Sequence, residues 1–271
     1  MTLWIDESFK RLLQPEQQSI DYFMSLTGQV YRAKEGRQTL RFEINGTPYF
    51  IKQHTGIGFA EIFKNLLSGR PPVTGAKNEW QAIARLTEHG IRCTRLLAYG
   101  ERGLNPAKHD SFIVMETFKE AHSLEDIIKK QSLTETQKNA LIIKLAQISR
   151  TMHGLGIYHR DYYLCHLMVN EQALAHNQAD LLLYDLHRAG ISKHLSSRWR
   201  IKDLASLYFS AYDYGYTPTR EDIALFCEHY FEQPFDTLLK THKKLLHTIE
   251  KKALKIYQRS NKEKTFELYF K

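Results

Sequence analysis

The sequence predicts an α+β chain in two lobes, a small antiparallel-sheet lobe over residues 1–117 and a mainly helical lobe over 118–271. Three observations carry this expectation. The stretch from Gln29 to His54 alternates apolar and polar residues and contains an Asn45-Gly46 pair, the strongest short hairpin signal. After Ser123 the apolar spacing changes from two to the three-or-four of helices. The chain has 271 residues, of which 42% are hydrophobic, 12% aromatic and 25% charged, so it can bury a sizeable core and is not a disordered segment.

The elements follow in order. The first 27 residues show helical spacing interrupted at Pro15 and read as two short helices. A meander of three strands comes next: one ending near Ala33, a turn at Lys34, Glu35 and Gly36, a second strand from Thr39 to Ile44, and a third carrying Tyr49, Phe50, Ile51 and Lys52. A short helix is expected around Ala60 to Leu67, then the loop SGRPPVTG, then a helix from Asn78 to Glu88 that Gly90 ends. Strands near Arg95–Gly100 and Ser111–Thr117 complete the small lobe. Helices over SLEDIIKK and Thr134–Leu155 begin the second.

The net charge of +8 is uneven. Residues 240–271 hold nine Lys and Arg259 against Glu250, Glu263 and Glu267. Apolar positions from Leu238 to Tyr257 recur there at helical spacing, with Lys240, Lys243, Lys244, Lys251, Lys252 and Lys255 among them, which describes a basic amphipathic helix. Either its apolar face docks and its lysines are merely solvated, or it meets an anionic surface. No recognition motif accompanies the charge, so nucleic acid is not expected as a partner. Cys93, Cys165 and Cys227 are too scattered for a disulfide framework or a zinc knuckle, and the thirteen histidines lack metal-ligand spacing. No run is apolar enough to span a bilayer, and Asp6 and Glu7 stand where a signal peptide would be basic, so a cytoplasmic location is expected.

Chemistry enters at GIYHRDYYLCHLMVN, where His159-Arg160-Asp161 follows a long helix. In LLLYDLHRA, Asp185 closes an apolar, strand-like run 24 residues later. Phosphoryl transfer needs a carboxylate to take the acceptor's proton, another to hold Mg2+, and a strand Lys to steady the nucleotide phosphates. Asp161, Asp185 and Lys52 meet these needs, with Glu79 on the next helix able to orient Lys52. Gly56-Ile57-Gly58 imitates a dinucleotide fingerprint but lacks its third glycine and its βαβ setting, so it reads as a turn leaving the Lys52 strand.

With these phrases in hand, and with EGRQTLRFE, YFIKQHTGIGFAEIFKNLL, GERGLNPAKHDSFI, DLHRAGI and RWRIKDL, the chain resembles a protein-kinase-like fold and, within it, the lipopolysaccharide core heptose kinase family. The resemblance covers about residues 30–215. It implies an ATP- and Mg2+-dependent enzyme that phosphorylates the 4-hydroxyl of the first heptose of the lipid-linked inner core. Lys52 would hold phosphates, Glu79 would orient it, Asp161 would be the base and Asp185 a metal ligand, while Glu116 and Phe118 would offer main-chain groups to adenine.

Departures from the protein-kinase pattern are informative. His166 stands where a kinase keeps the Asn that binds a second metal, which makes His166 a candidate metal ligand although Mg2+ prefers oxygen. Asp185-Leu186-His187 replaces D-F-G, and the loss of its glycine points to a fixed metal loop. In the first turn only Gly36 is present, so Lys34 and Arg37 are candidates to help cradle phosphates. Just 18 residues separate Asp185 from Asp203, which begins DLASLYFS and is expected to anchor the next helix, with no A-P-E segment to seat a peptide. A small hydroxyl acceptor is therefore favoured. Arg188, Arg198 and Arg200 suit an acceptor bearing carboxylates or phosphates, such as a core glycolipid. The acceptor implies work at the inner leaflet of the inner membrane, and an acidic protein such as acyl carrier protein is a candidate partner for the basic surface. A kinase for another inner-core sugar or for a protein tyrosine, and a pseudokinase-like scaffold, are the competing readings.

Overall fold

A computed structural model describes residues 1–34, 36–56, 58–59, 63, 67, 75–105, 108–118, 121–130, 133–259 and 262–270, with main chain alone for residues 34 and 121. The chain divides into two compact units: residues 1–84 with 94–119, and residues 85–93 with 120–271. The helix expected at Ala60–Leu67 falls almost wholly outside the described residues, as do Glu35, Ile57 and most of the loop after that helix.

The first unit is a six-stranded sheet in the order β1-β5-β6-β4-β3-β2, formed by β1 (Thr2–Ile5), β2 (Gln29–Lys34), β3 (Arg37–Ile44), β4 (Thr47–His54), β5 (Leu96–Arg102) and β6 (Asp110–Glu116). All its pairings are antiparallel. The Asn45-Gly46 turn takes positive φ at both residues, as a tight hairpin requires. Strand periodicity then decides what each β4 side chain meets: Tyr49, Ile51 and Gln53 are buried on one face, and Phe50 and Lys52 stand on the other.

Two short helices, α1 (Glu7–Lys10) and α2 (Ile20–Ser25), cover the buried face, where Phe9, Ile20 and Phe23 pack with Leu40, Ile51, Phe112 and Val114. Phe23 stacks on Phe112 at 4.5 Å, and each such ring contributes about 1.5–3 kcal/mol by leaving water. Buried Gln53 donates to the Phe23 and Leu26 carbonyls, which pins the end of α2 onto the Lys52 strand. The expectation of only helices in the first 27 residues is corrected: Thr2–Ile5 is a strand along β5. Four residues carry too little periodicity to reveal a strand, and this one exists because β5 offers an edge.

In the second unit, α3 (Lys77–Glu88), which begins in the first unit, contributes its last turn. There follow β7 (Ala121–Ser123), α4 (Leu124–Lys130), α5 (Glu135–Gly154), β8 (Ile157–Tyr158), β9 (Leu167–Asn170), α6 (Glu171–Ala175), β10 (Leu181–Leu183), β11 (Gly190–Ile191), α7 (Ser197–Asp213), α8 (Arg220–Phe231), α9 (Phe235–Thr241) and α10 (Lys243–Tyr257). Thr134 and Gln137 form a capping box at the start of α5, which satisfies its first amides. The short strands β10-β9-β7 and β11-β8 flank the loops that carry Asp161 and Asp185.

Asp203 lies in the middle of α7, which starts at Ser197. One expectation changes here. The basic segment is two helices, α9 and α10, broken at His242. Leu246, Ile249 and Ala253 of α10 dock into the core, while Lys243, Lys244, Lys251 and Lys255 are exposed. An apolar cavity of about 180 Å³ lies within this unit, with Leu141, Leu145, Leu204, Leu207, Ile249 and Phe270 in its wall. No described helix is long and apolar enough to cross a membrane.

Candidate active site

Lys52 lies on β4, hydrogen-bonded on both sides by β3 and β6, so its position is set by the middle of the sheet. Its Nζ donates to Glu79 Oε1 of α3 at 2.6 Å, and Glu79 is 1% exposed. Trp80, the next residue, stacks on Tyr99, which stacks in turn on Trp4 of β1. The helix that carries Glu79 is thereby tied to the sheet.

The His159-Arg160-Asp161 loop is held by groups distant in sequence. Asp203, fully buried, accepts the backbone N–H of His159 at 2.7 Å and of Arg160 at 2.8 Å. The ammonium of Lys202 donates to the Arg160 carbonyl. Arg160 has φ of +72°, a left-handed conformation that costs a residue with a side chain on the order of 1–3 kcal/mol and persists only when its surroundings over-determine it. These bonds supply that determination. Burial pushes the His159 imidazole down to about 4, so the ring is neutral, and its Nε2 donates to the Tyr184 carbonyl just before Asp185.

Asp161 faces cations. Arg188 Nη1 donates to both of its carboxylate oxygens, at 2.8 and 2.9 Å, and Lys202 Nζ stands 4.0 Å from one of them. Burial lowers Lys202 to about 8, with the charges of Arg188 and Arg160 acting in the same sense and those of Asp161 and Asp203 against it. Trp199, stacked on Tyr158 at 4.7 Å, lies under the guanidinium groups of Arg160 and Arg198. Arg200 points elsewhere: two helical positions apart means about 200° around the axis, so it and Lys202 occupy opposite faces of α7. Its charge opposes the upward push that burial gives the Tyr230 phenol on α8.

Asp185 also has positive φ, +58°, and its Oδ1 accepts from His187 Nδ1 at 2.8 Å. Leu186 is buried and starts a 3-10 turn through Arg188, which places Arg188 back beside Asp161. His166 donates through Nδ1 to the Asp161 carbonyl at 2.7 Å, and its Nε2 lies 3.8 Å from Asp185 Oδ2. Among the described residues no cluster of three or more His, Cys, Asp or Glu side chains stands ready for a metal. The donor set still fits Mg2+, which is commonly held by one or two carboxylates with nucleotide phosphates and waters completing its shell.

At the β2–β3 turn, Lys34 and Arg37 pair in register around Gly36, whose φ is +71°. Glu116 ends β6 with its carboxylate bonded to Arg95 at 2.9 Å, and its amide donates to the Arg95 carbonyl. Phe118 follows two residues later. Lys202 and the anchoring role of Asp203 escaped the sequence reading. The three-residue offset from Trp199 to Lys202 on one helix face was the available signal.

A strand lysine with a buried glutamate partner, and carboxylates on turns with left-handed backbone, are the kinds of group that phosphoryl transfer calls for, and the class is that of kinase-like phosphotransferases. The Lipopolysaccharide kinase (Kdo/WaaP) family matches residues 21–230, and the chain belongs to that family. It is 42% identical over 268 residues to the lipopolysaccharide core heptose(I) kinase WaaP of Pseudomonas aeruginosa, covering 97% of this chain and 98% of that one. It is 40% identical over 242 residues to the protein of the same name from Escherichia coli K12, covering 88% of this chain and 91% of that one. A solved structure described as WaaP in complex with acyl carrier protein matches 95% of this chain and all of that chain, with a TM-score of 0.79 and 38% identity.

Proposed function

We propose that this chain transfers the γ-phosphoryl group of ATP to the 4-hydroxyl of the first heptose of the lipopolysaccharide inner core. The observation that carries the reading is the Asp161 loop, strained and held by Asp203, in a chain whose relatives of nearly equal length are heptose(I) kinases. Asp161 takes the hydroxyl proton. Lys52, oriented by Glu79, holds nucleotide phosphates, with Lys34 and Arg37 assisting at the first turn. Asp185 is the carboxylate that would hold Mg2+, with His166 aimed at the same side; the ion would neutralise charge on the phosphates. Glu116 and Phe118 offer main-chain groups to adenine, and Arg188 and Arg198 face the acceptor.

Acyl carrier protein is a partner in this reading, since it accompanies the similar solved structure and the exposed lysines of α10 suit an acidic protein. The apolar cavity of the second unit has the chemistry to take the chain such a carrier bears, because dry apolar cavities accept apolar ligands. The glycolipid acceptor places the enzyme at the inner leaflet of the inner membrane, where the exposed lysines meet anionic headgroups. The test is incubation of purified protein with labelled ATP and a defined core glycolipid, with mass mapping of the product. Phosphate on any sugar or hydroxyl other than the first heptose O4 sinks the assignment.

A further inference from the structure

Arg188 covers both oxygens of the carboxylate that is to accept the acceptor's proton. Both oxygens are therefore taken up, and the guanidinium must give up a bond before either oxygen can receive a proton. The pair is not a solvated surface contact: Asp161 is 16% exposed and Arg188 33%. The positive side is also in excess. Arg160, Arg188 and Lys202 gather here, and their mutual repulsion adds to burial in lowering Arg160 and Lys202. On the negative side stand Asp161 and Asp203, and Asp203 is committed to two backbone amides. Lys202, by contrast, is bonded to the Arg160 carbonyl and stands 4.0 Å from Asp161. Arg188 is the most exposed of the three cations, and its planar fork matches a carboxylate or phosphate.

We propose that Arg188 is an anion-operated latch on Asp161: a sugar acceptor carrying a carboxylate or phosphate beside its reacting hydroxyl draws Arg188 away and frees the base. This rests on the kinase reading above and names the acceptor class within it. With the latch open, the hydroxyl oxygen bonds to the γ-phosphorus as the bond from phosphorus to the β–γ bridging oxygen breaks. The hydroxyl proton passes to Asp161, and ADP leaves with the electron pair. The anion thus acts on turnover as well as on binding, and a neutral acceptor meets a base that is still engaged.

The test uses two synthetic heptosides alike except that one bears a carboxylate on the neighbouring sugar and the other its carboxamide. For the wild-type chain, kcat on the carboxylate should exceed kcat on the amide by about tenfold or more, the scale of one charge-assisted hydrogen bond. In Arg188→Gln that preference should shrink to within about threefold, with kcat on the amide above the wild-type value. Equal wild-type kcat values, with any difference confined to KM, overturn the latch and leave the kinase reading intact; so does a preference that survives in Arg188→Gln. If neither acceptor nor the native glycolipid is phosphorylated, the kinase reading fails and the latch with it. The comparison within the wild-type chain stands even if the variant folds poorly.

Discussion

Asp203, buried in the middle of α7, accepts the backbone N–H of Arg160 at 2.8 Å and so holds a left-handed residue next to the proposed base. The same carboxylate takes the His159 amide, and His153 Nε2 lies 3.6 Å away. Asp203→Ala leaves two buried amides without partners, at about 1–3 kcal/mol each. The melting temperature should fall by several degrees, at roughly 2–4 °C per kcal/mol for a chain of this size, and turnover should fall with it. A variant with wild-type melting and turnover would show that the loop is held by something else.

Glu79→Gln should raise KM for ATP and lower kcat, because Lys52 loses the charge that orients it. The effect is coupled. Lys52→Met alone should cost as much as the double variant in log(kcat/KM), since each change removes the same pair. Additive losses in a double-mutant cycle would mean that the 2.6 Å pair does not act as a unit.

Activity should depend on pH through Lys202. Its folded value, about 8, is below the ordinary 10.5, so the charged ammonium that bonds the Arg160 carbonyl and holds the Asp161 loop is present below pH 8 and lost above it. The groups facing it are Asp161, Asp203, Arg160 and Arg188. Turnover should therefore decline on the alkaline side with a midpoint near 8, and Lys202→Arg should shift that decline upward. For stability the sign is opposite: between about 8 and 10.5 the unfolded chain binds more protons, so this group's contribution improves as pH rises through that window. A limb near 8 that persists in Lys202→Arg assigns the titration to another group.

His166 has its Nε2 3.8 Å from Asp185 Oδ2, so His166 and Asp185 are the side chains that would hold Mg2+ on this side of the site. His166→Asn should keep much of the activity, since an amide oxygen is the better ligand, whereas His166→Ala should lose it and raise the Mg2+ concentration for half-maximal rate. Wild-type rate and Mg2+ dependence in the Ala variant would make His166 a packing residue.

Exposed Lys243, Lys244, Lys251 and Lys255 on α10, with Lys240 on α9, form a cationic surface over a docked apolar face. Each contributes roughly 1 kcal/mol near an anionic bilayer, and salt screens this over a Debye length of about 8 Å. Changing several to Gln should weaken liposome binding and activity on membrane-embedded acceptor, while activity on a deacylated core sugar stays near wild type. Equal loss on both substrates, or binding insensitive to salt, would count against a role at the membrane surface.

The linear pattern was enough for the meander, the long helices and the positions of Lys52, Glu79, Asp161 and Asp185, because strand alternation, the Asn45-Gly46 turn and helix caps act over a few neighbours. It also implied that α10 is amphipathic, but left open whether the apolar face docks. What the residues alone could not show depends on partners far along the chain. Thr2–Ile5 is a strand because β5 has an open edge. Asp203 matters because its helix passes beneath a loop 43 residues earlier. Arg188, expected to meet the acceptor, is bound to Asp161 because the Leu186–Arg188 turn folds back beside it, and Arg200 faces α8 because helical geometry turns it away from Lys202. Burial, mutual repulsion and the strain at Arg160 and Asp185 exist only when those segments meet, since charge and packing act across space and the sequence orders residues only along the chain.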